Sequence, residues 1–323
     1  MSVRLLEIAG KTMIKHTFYF FRKIIITSVF ALLSILVLPT FSYSQEGNYD
    51  WWNELHGWEP GMQGWKRWLI ISPGYLGPNA LPVPEVKKGY IPTESEISFS
   101  ASRHFHPGDP TQDISGKLFL PFAEGKIAFE AYGVIVENYA FSEEIRNERF
   151  ARDEDGKGIV QGDLYFSTLI QIFRNRAFPN TVFRFAGRTA SGGGYDAARF
   201  SDNPGYFFDF SFSKDFELWP MAVIRPFASG GFYSWQTNNE NTLQNDAPLY
   251  AAGLEFQIES WLFTGSFSGY SGYMENKDQP QVATLNLRHD WEKSAASIDV
   301  IVGLKHWGYQ TIKFTYAVKF DGL

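Results

Sequence analysis

The sequence predicts an all-β fold, an antiparallel up-and-down transmembrane β-barrel of about twelve strands with an N-terminal Trp/Pro-rich plug or cap. Three observations lead there. Between Ile97 and Phe320, apolar and polar residues alternate in about a dozen separate stretches. Each stretch is near the roughly ten residues that a tilted strand needs to cross a bilayer. The connections between them alternate in length, as hairpins crossing a membrane do. A closed barrel pairs every backbone N–H and C=O within its own sheet, which hydrocarbon requires of any chain that spans it.

Taken from the N-terminus, the chain divides into 1–44, 45–94 and 95–323. In the first part, Lys15, Arg22 and Lys23 precede the uninterrupted apolar run Ile24 to Leu38, and Pro39 and Ser42-Tyr43-Ser44 follow it. These are the regions of a secretory signal peptide cleaved after Ser44, and Met13 serves as well as Met1 to start it. The run is too short for a spanning helix. Residues 1–44 hold five of the 29 Lys/Arg and one of the 35 Asp/Glu, so their removal leaves 24 against 34, a formal charge of −10. Such an acidic chain is a poor partner for nucleic acid. The absence of cysteine excludes disulfides, thiolate metal sites, thiol nucleophiles and the lipidated cysteine of lipoproteins.

Residues 45–94 differ in composition. Trp51, Trp52, Trp58, Trp65 and Trp68 are followed by Pro73, Pro78, Pro82, Pro84 and Pro92. Disordered tails are poor in aromatics, whereas these tryptophans call for burial. The segment is therefore an ordered, turn-rich coil, read as a plug inserted into the lumen or a cap beneath the periplasmic rim.

Period-two segments bounded by turn residues place strands near 95–105, 113–122, 126–138, 159–172, 181–190, 205–213, 221–235, 249–259, 261–271, 281–291, 296–305 and 311–320. The longer connections are His106–Gln112, Tyr139–Gly158, Ser191–Pro204, Gln236–Pro248, Gly272–Pro280 and His306–Gln310. Short turns face the periplasm in such barrels, which places both termini there. One parity, with Phe99, Ile127, Phe166, Phe185, Phe210, Leu254, Phe263, Leu285, Val300 and Phe314, would meet lipid. Aromatics at strand ends form girdles, with Tyr139, Tyr206, Tyr250 and Trp307 outside and Phe122, Trp219, Trp261 and Trp291 on the periplasmic side. A soluble β-sandwich is the competing fold for the alternation alone.

The last strand, Ile312-Lys313-Phe314-Thr315-Tyr316-Ala317-Val318-Lys319-Phe320, resembles the C-terminal assembly signal of Gram-negative bacterial outer-membrane β-barrel proteins, which ends on an aromatic residue; here Asp321-Gly322-Leu323 overhang it. The resemblance implies a place in the bacterial cell outer membrane. It also implies the barrel-assembly machinery, outer-membrane lipids and lipopolysaccharide as partners.

The other parity carries Lys117, Glu130, Asp163, Arg184, Arg188, Asp209, Arg225, Glu255, Arg288, Asp299 and Lys313, with Asp290, Lys305 and Lys319. Neighbouring strands offer opposite charges: Lys117 beside Glu130, Arg184 or Arg188 beside Asp209, Arg225 beside Glu255, and Arg288 beside Asp299. Two readings follow. The ions form a network that rigidifies a closed structural barrel, or they line a narrow passive channel for a small polar solute. Twelve strands enclose more than eight, whose interior side chains fill, and less than an open porin.

A lipid- or envelope-modifying enzyme at the barrel mouth is the alternative of a different class. The sequence offers it no catalytic, cofactor or metal constellation. His289 sits at lipid parity beside Trp291 with no serine facing it, and the His-x-Ser pattern of outer-membrane phospholipases is absent. His104 and His106 share a strand face near Asp109 and Asp113 but lack a third ligand, and read as loop-edge polarity. Asp153-Glu154-Asp155-Gly156 lacks the ligands of a calcium loop, and Ser191-Gly192-Gly193-Gly194 lacks a following Lys-Ser/Thr.

Overall fold

The structure, a computed structural model, describes residues 49–175 and 177–320. The expected signal peptide lies outside the described residues, as do 45–48 at the start of the tryptophan-rich segment and the overhang 321–323. The order is helix α1 (Asp50–His56), a 3-10 turn (Trp65–Trp68), β1 (Ser95–Phe105), β2 (Thr111–Phe122), β3 (Ile127–Ala140), helix α2 (Glu143–Glu148), β4 (Lys157–Val160), β5 (Leu164–Phe173), β6 (Asn180–Arg188) and β7 (Gly205–Ser213). Then come β8 (Phe216–Trp219), β9 (Ala222–Asn239), β10 (Thr242–Ile258), β11 (Trp261–Tyr270), β12 (Gln281–Asp290), β13 (Ser294–Lys305) and β14 (Gln310–Phe320).

Each long strand pairs antiparallel with its sequence neighbour, and β14 returns to β1 with Ser95 opposite Phe320, so twelve strands close a barrel. Short β4 and β8 are additions, β4 on the far end of β3 and β8 on the start of β9. One expected strand and one expected loop differ. The stretch expected at 159–172 is broken at 161–163, where the Gly162 amide turns to donate to Val134 O at 2.9 Å. Gln236–Pro248, expected as a loop, continues the β9–β10 hairpin beyond the barrel, with Asn245 opposite Trp235. A hairpin standing clear of the bilayer needs no apolar outer face, so alternation does not reveal it.

The pleat sorts the side chains as the parity requires. Phe99, Phe166, Phe185, Phe314 and Leu285 are exposed on the outer wall, while Glu130, Arg184 and Glu255 are buried on the inner one. Trp219, Trp261 and Trp291 stand exposed at the short-turn end, with His289 wedged between the last two at ring distances of 4.2 and 4.7 Å. Tyr206 is exposed near the long-loop end. Tyr139 and Trp307 are not girdle residues. Both are buried, with Tyr139 OH donating to Asp153 at 2.8 Å and Trp307 Nε1 donating to Pro78 O at 3.1 Å. At the strand–loop junction the chain bends inward, and parity ceases to decide which way a side chain faces.

The coil ahead of β1 touches inward-facing groups over the whole length of the wall. Trp52 Nε1 donates to Phe150 O in the long β3–β4 connection, and Gly74 N donates to Lys277 O in the β11–β12 connection. Further along, Ala80 O accepts from Arg188, and Glu94 at the opposite rim pairs with Lys319. The described chain thus begins among the long connections and enters β1 at the short-turn end. Asp50 and Phe320 therefore lie at opposite ends of the barrel.

Candidate functional site: a two-sided lumen

The lumen has a packed side, along β2 to β11, and a wet side, along β12 to β1. On the packed side at the long-loop end, Leu69, Ile71, Leu76, Ala80 and Leu81 of the coil form one apolar core with Tyr165, Phe207, Tyr233, Trp235 and Tyr270 of the wall. Backbone carbonyls of an extended coil have no ladder partner, so side chains must satisfy them. Ala80 O accepts from Arg188 at 2.6 Å, Ile71 O from Trp235 Nε1 at 3.2 Å, and Leu81 O from Tyr270 OH at 2.8 Å.

Above this core the long connections are clamped by charge. Arg199, fully buried, donates to Glu137 at 2.8 Å and to Asp109 at 2.9 Å, and Arg149 donates to Asp109 at 2.7 Å. Burial alone would raise the Asp109 carboxyl, but the two guanidiniums hold it below the usual carboxylate range. A Cβ on Gly77 would lie 2.8 Å from the Arg199 guanidinium, so only glycine lets the coil pass so close. Its amide donates to Ala198 O at 2.9 Å. Asn79 donates to Glu137 at 2.7 Å and to Asp113 at 3.2 Å.

Nearer the short-turn end the contact becomes ionic. Lys87 of the coil donates to Glu130 at 2.7 Å, and Lys117 meets Glu130 at 2.9 Å and coil residue Glu85 at 2.7 Å. Lys88 pairs with Glu255, which also pairs with Arg225; Arg225 holds Asp215 at 2.6 Å. Arg184 meets Asp209 at 2.6 Å, and Arg188 meets Asp163 at 3.3 Å, so of the two arginines considered for Asp209 the pairing goes to Arg184. Gln171 closes the coil's exit, accepting from Ile91 N at 2.8 Å and donating to Gly89 O at 2.9 Å.

The wet side is different. Ser100, Thr284, Asn286, Ser297, Asp299, Lys313 and Thr315 point inward yet remain half-exposed, and the Glu85 side chain above them is 63% exposed. They line a solvent-accessible bay inside the wall. The expected pair of Arg288 with Asp299 does not form. Arg288 reaches Glu96 at 2.7 Å and Asp290 at 2.9 Å on the rim, whereas Asp299 accepts from Asn286 at 2.8 Å. Asn286 lies directly opposite Asp299 in the ladder and Arg288 only diagonally, so the nearer amide takes the carboxylate. Among the described residues Lys313 has no ion-pair partner within 4.0 Å.

Sequence reasoning missed Glu85, Lys87 and Lys88. Three charges in the otherwise uncharged stretch 68–92 were the available signal, since a coil inside an ionic wall must answer it in kind. His104 is no loop-edge residue: it is buried, with Nε2 2.6 Å from Asp113 and Nδ1 2.7 Å from Thr311. The described residues contain no cluster of three or more metal-ligating side chains.

No protein-family model matches the chain, and no curated protein does. Among solved structures, the chain is similar to the COG4313 outer membrane channel from Pseudomonas putida F1, at 12% identity, 73% of this chain, 100% of that one and a TM-score of 0.51. It is also similar to the KdgM porin in complex with disordered oligogalacturonate, at 7% identity, 69% and 99% coverage and a TM-score of 0.43. The β domain of the Bordetella autotransporter BrkA aligns at 13% identity, 71% and 100% coverage and a TM-score of 0.42. The likeness is one of fold. The chain has the fold of an outer-membrane β-barrel, closed by twelve strands.

Proposed function

We propose that the chain is a narrow passive channel for small polar solutes. Residues 45–94 act as its plug, and the long connections face the cell exterior. The observation that carries this reading is the bay: inward hydroxyls, an amide and ions of both signs stay in contact with solvent beside a coil that fills the rest of the lumen. A barrel built only for rigidity has no use for half-exposed charge within its wall, whereas a path for polar solutes needs water and weak, replaceable contacts. The second reading, a closed structural barrel, is favoured by the apolar core at the long-loop end. The comparisons give no support to an enzyme at the mouth. Lipid and lipopolysaccharide against the outer wall, and the barrel-assembly machinery during folding, are the partners this architecture calls for.

Purified protein in planar bilayers is expected to give discrete conductance steps that small neutral polar solutes lower by entering the pore and larger, excluded ones leave unchanged. A silent bilayer with correctly folded protein would favour the closed barrel. Epitope tags on intact cells test the orientation: insertions at Gly57 and after Asp153 should bind antibody, and one after Gly125 should not.

A further inference from the structure

We infer that Trp307 is the gate of this channel, and that solute passes along the bay and under the β13–β14 loop while the coil stays in place. The inference rests on the channel reading and assigns its constriction. Exposure along the wet wall changes abruptly. Thr284, Asp299, Lys313 and Thr315 are half-exposed, whereas one step nearer the long-loop end Val282, Thr311, Trp307 and Tyr309 are buried. Val282, Trp307 and Tyr309 form an apolar layer with Val83 of the coil and Ile301 packed against it. A polar bay ending on such a layer is closed by dewetting, and moving one large ring is enough to rehydrate it.

Ejecting the coil would break its bonds to Arg188, Trp235 and Tyr270 and its ion pairs with Glu130 and Glu255. The β13–β14 loop, by contrast, is held to the coil by one hydrogen bond, from the Trp307 indole N–H to Pro78 O at 3.1 Å. Its other anchors, Gln279 N on His306 Nδ1 at 3.1 Å and Arg149 on Tyr309 OH at 2.9 Å, lie on either side of the Trp307 ring and need not break for that ring to move. The loop is folded inward over the mouth by its own backbone. Gly303 N donates to Tyr309 O at 2.9 Å, and a Cβ at residue 303 would lie 1.8 Å from Trp307 O, so glycine there is what lets the loop lie down.

The test uses the full chain, whose lack of cysteine makes one introduced thiol the sole target. Thr315→Cys places that thiol in the bay. A charged, membrane-impermeant thiol reagent should block it from the short-turn side of a bilayer and not from the long-loop side. With Trp307→Gly added, it should react from both sides and conductance should rise several-fold. Trp307→Phe keeps most of the ring and loses the donor to Pro78, and should give a smaller rise; should glycine unfold the barrel, it carries the same test. Reaction from both sides in the parent overturns the gate, as does a Trp307→Gly protein that labels and conducts like the parent. Conductance steps left unchanged in the variant would overturn the gate alone. Silence in both proteins, with the thiol shielded from the long-loop side in both, would overturn the channel as well.

Discussion

Asp209 and Asp299 are both inward-facing carboxylates on barrel strands, yet Asp209 on β7 is closed off from solvent against Arg184, while Asp299 on β13 is half-exposed and rests on the amide of Asn286. The difference comes from the coil. Where it presses on the wall, water is gone and each ion needs an ionic partner; where it stands away, a neutral amide and solvent suffice. One barrel thus contains two interiors, and only the wet one can exchange its contacts with a passing solute.

The same substitution on the two sides separates them most sharply. Asp209→Asn leaves the buried Arg184 guanidinium without its counter-ion and is expected to cost about 3–5 kcal/mol. Asp299→Asn removes a half-exposed charge whose partner is neutral and should cost less than about 1 kcal/mol. Urea titration followed by heat-modifiable electrophoretic mobility would measure both. Equal effects would mean that the two interiors are equally wet.

The clamp above the packed side should respond to acid in a definite order. Asp153 in the β3–β4 connection has its carboxyl raised by burial, so its cost to the folded loop is relieved as pH falls through that raised value. Asp109 has the opposite sign. The guanidiniums depress it, so its contribution is complete above the ordinary carboxylate value and is lost only as pH falls through its lower folded value. Proteolytic cleavage within 141–156 and 189–204 should therefore stay slow at about pH 5 and accelerate only below about pH 4. Cleavage that begins near neutrality would show that carboxylate–guanidinium contacts do not hold these loops.

Much of this was legible. Period two and turn residues found the strands, because each outer face must be apolar and each inner face need not be. Parity also set Arg225 against Glu255 and left Asp209 to Arg184 or Arg188, of which Arg184 lies directly opposite it in the ladder. Legibility failed where that rule weakens. Arg288 and Asp299 are diagonal neighbours, Trp307 and Tyr139 sit where strands bend into loops, and the β9–β10 extension lies clear of lipid. The tryptophans called for burial, yet only Trp52 is buried, Trp51, Trp58, Trp65 and Trp68 are half-buried, and the coil's packed residues are Leu69, Ile71, Leu76 and Leu81. Nor could the direction of the coil be read, because composition has no polarity along the barrel axis. The fate of a charge depended on the coil's course as much as on the strand bearing it.

Lys313 carries the smallest structural effect and the most specific functional one. Its ammonium has no partner within 4.0 Å among the described residues, lies in the ladder opposite Asp299 and Ser102, and faces the same water as Glu85. An unpaired, half-exposed cation adds little to stability, so Lys313→Gln should change it by no more than about 0.5 kcal/mol. In a narrow low-dielectric passage the same charge sets the local field felt by every permeating ion. Its removal leaves Glu85 and Asp299 less opposed, and the reversal potential in a salt gradient should move toward cation preference while the unfolding midpoint stays put. A reversal potential that does not move, in a channel that still conducts, would place the ion path somewhere other than the bay.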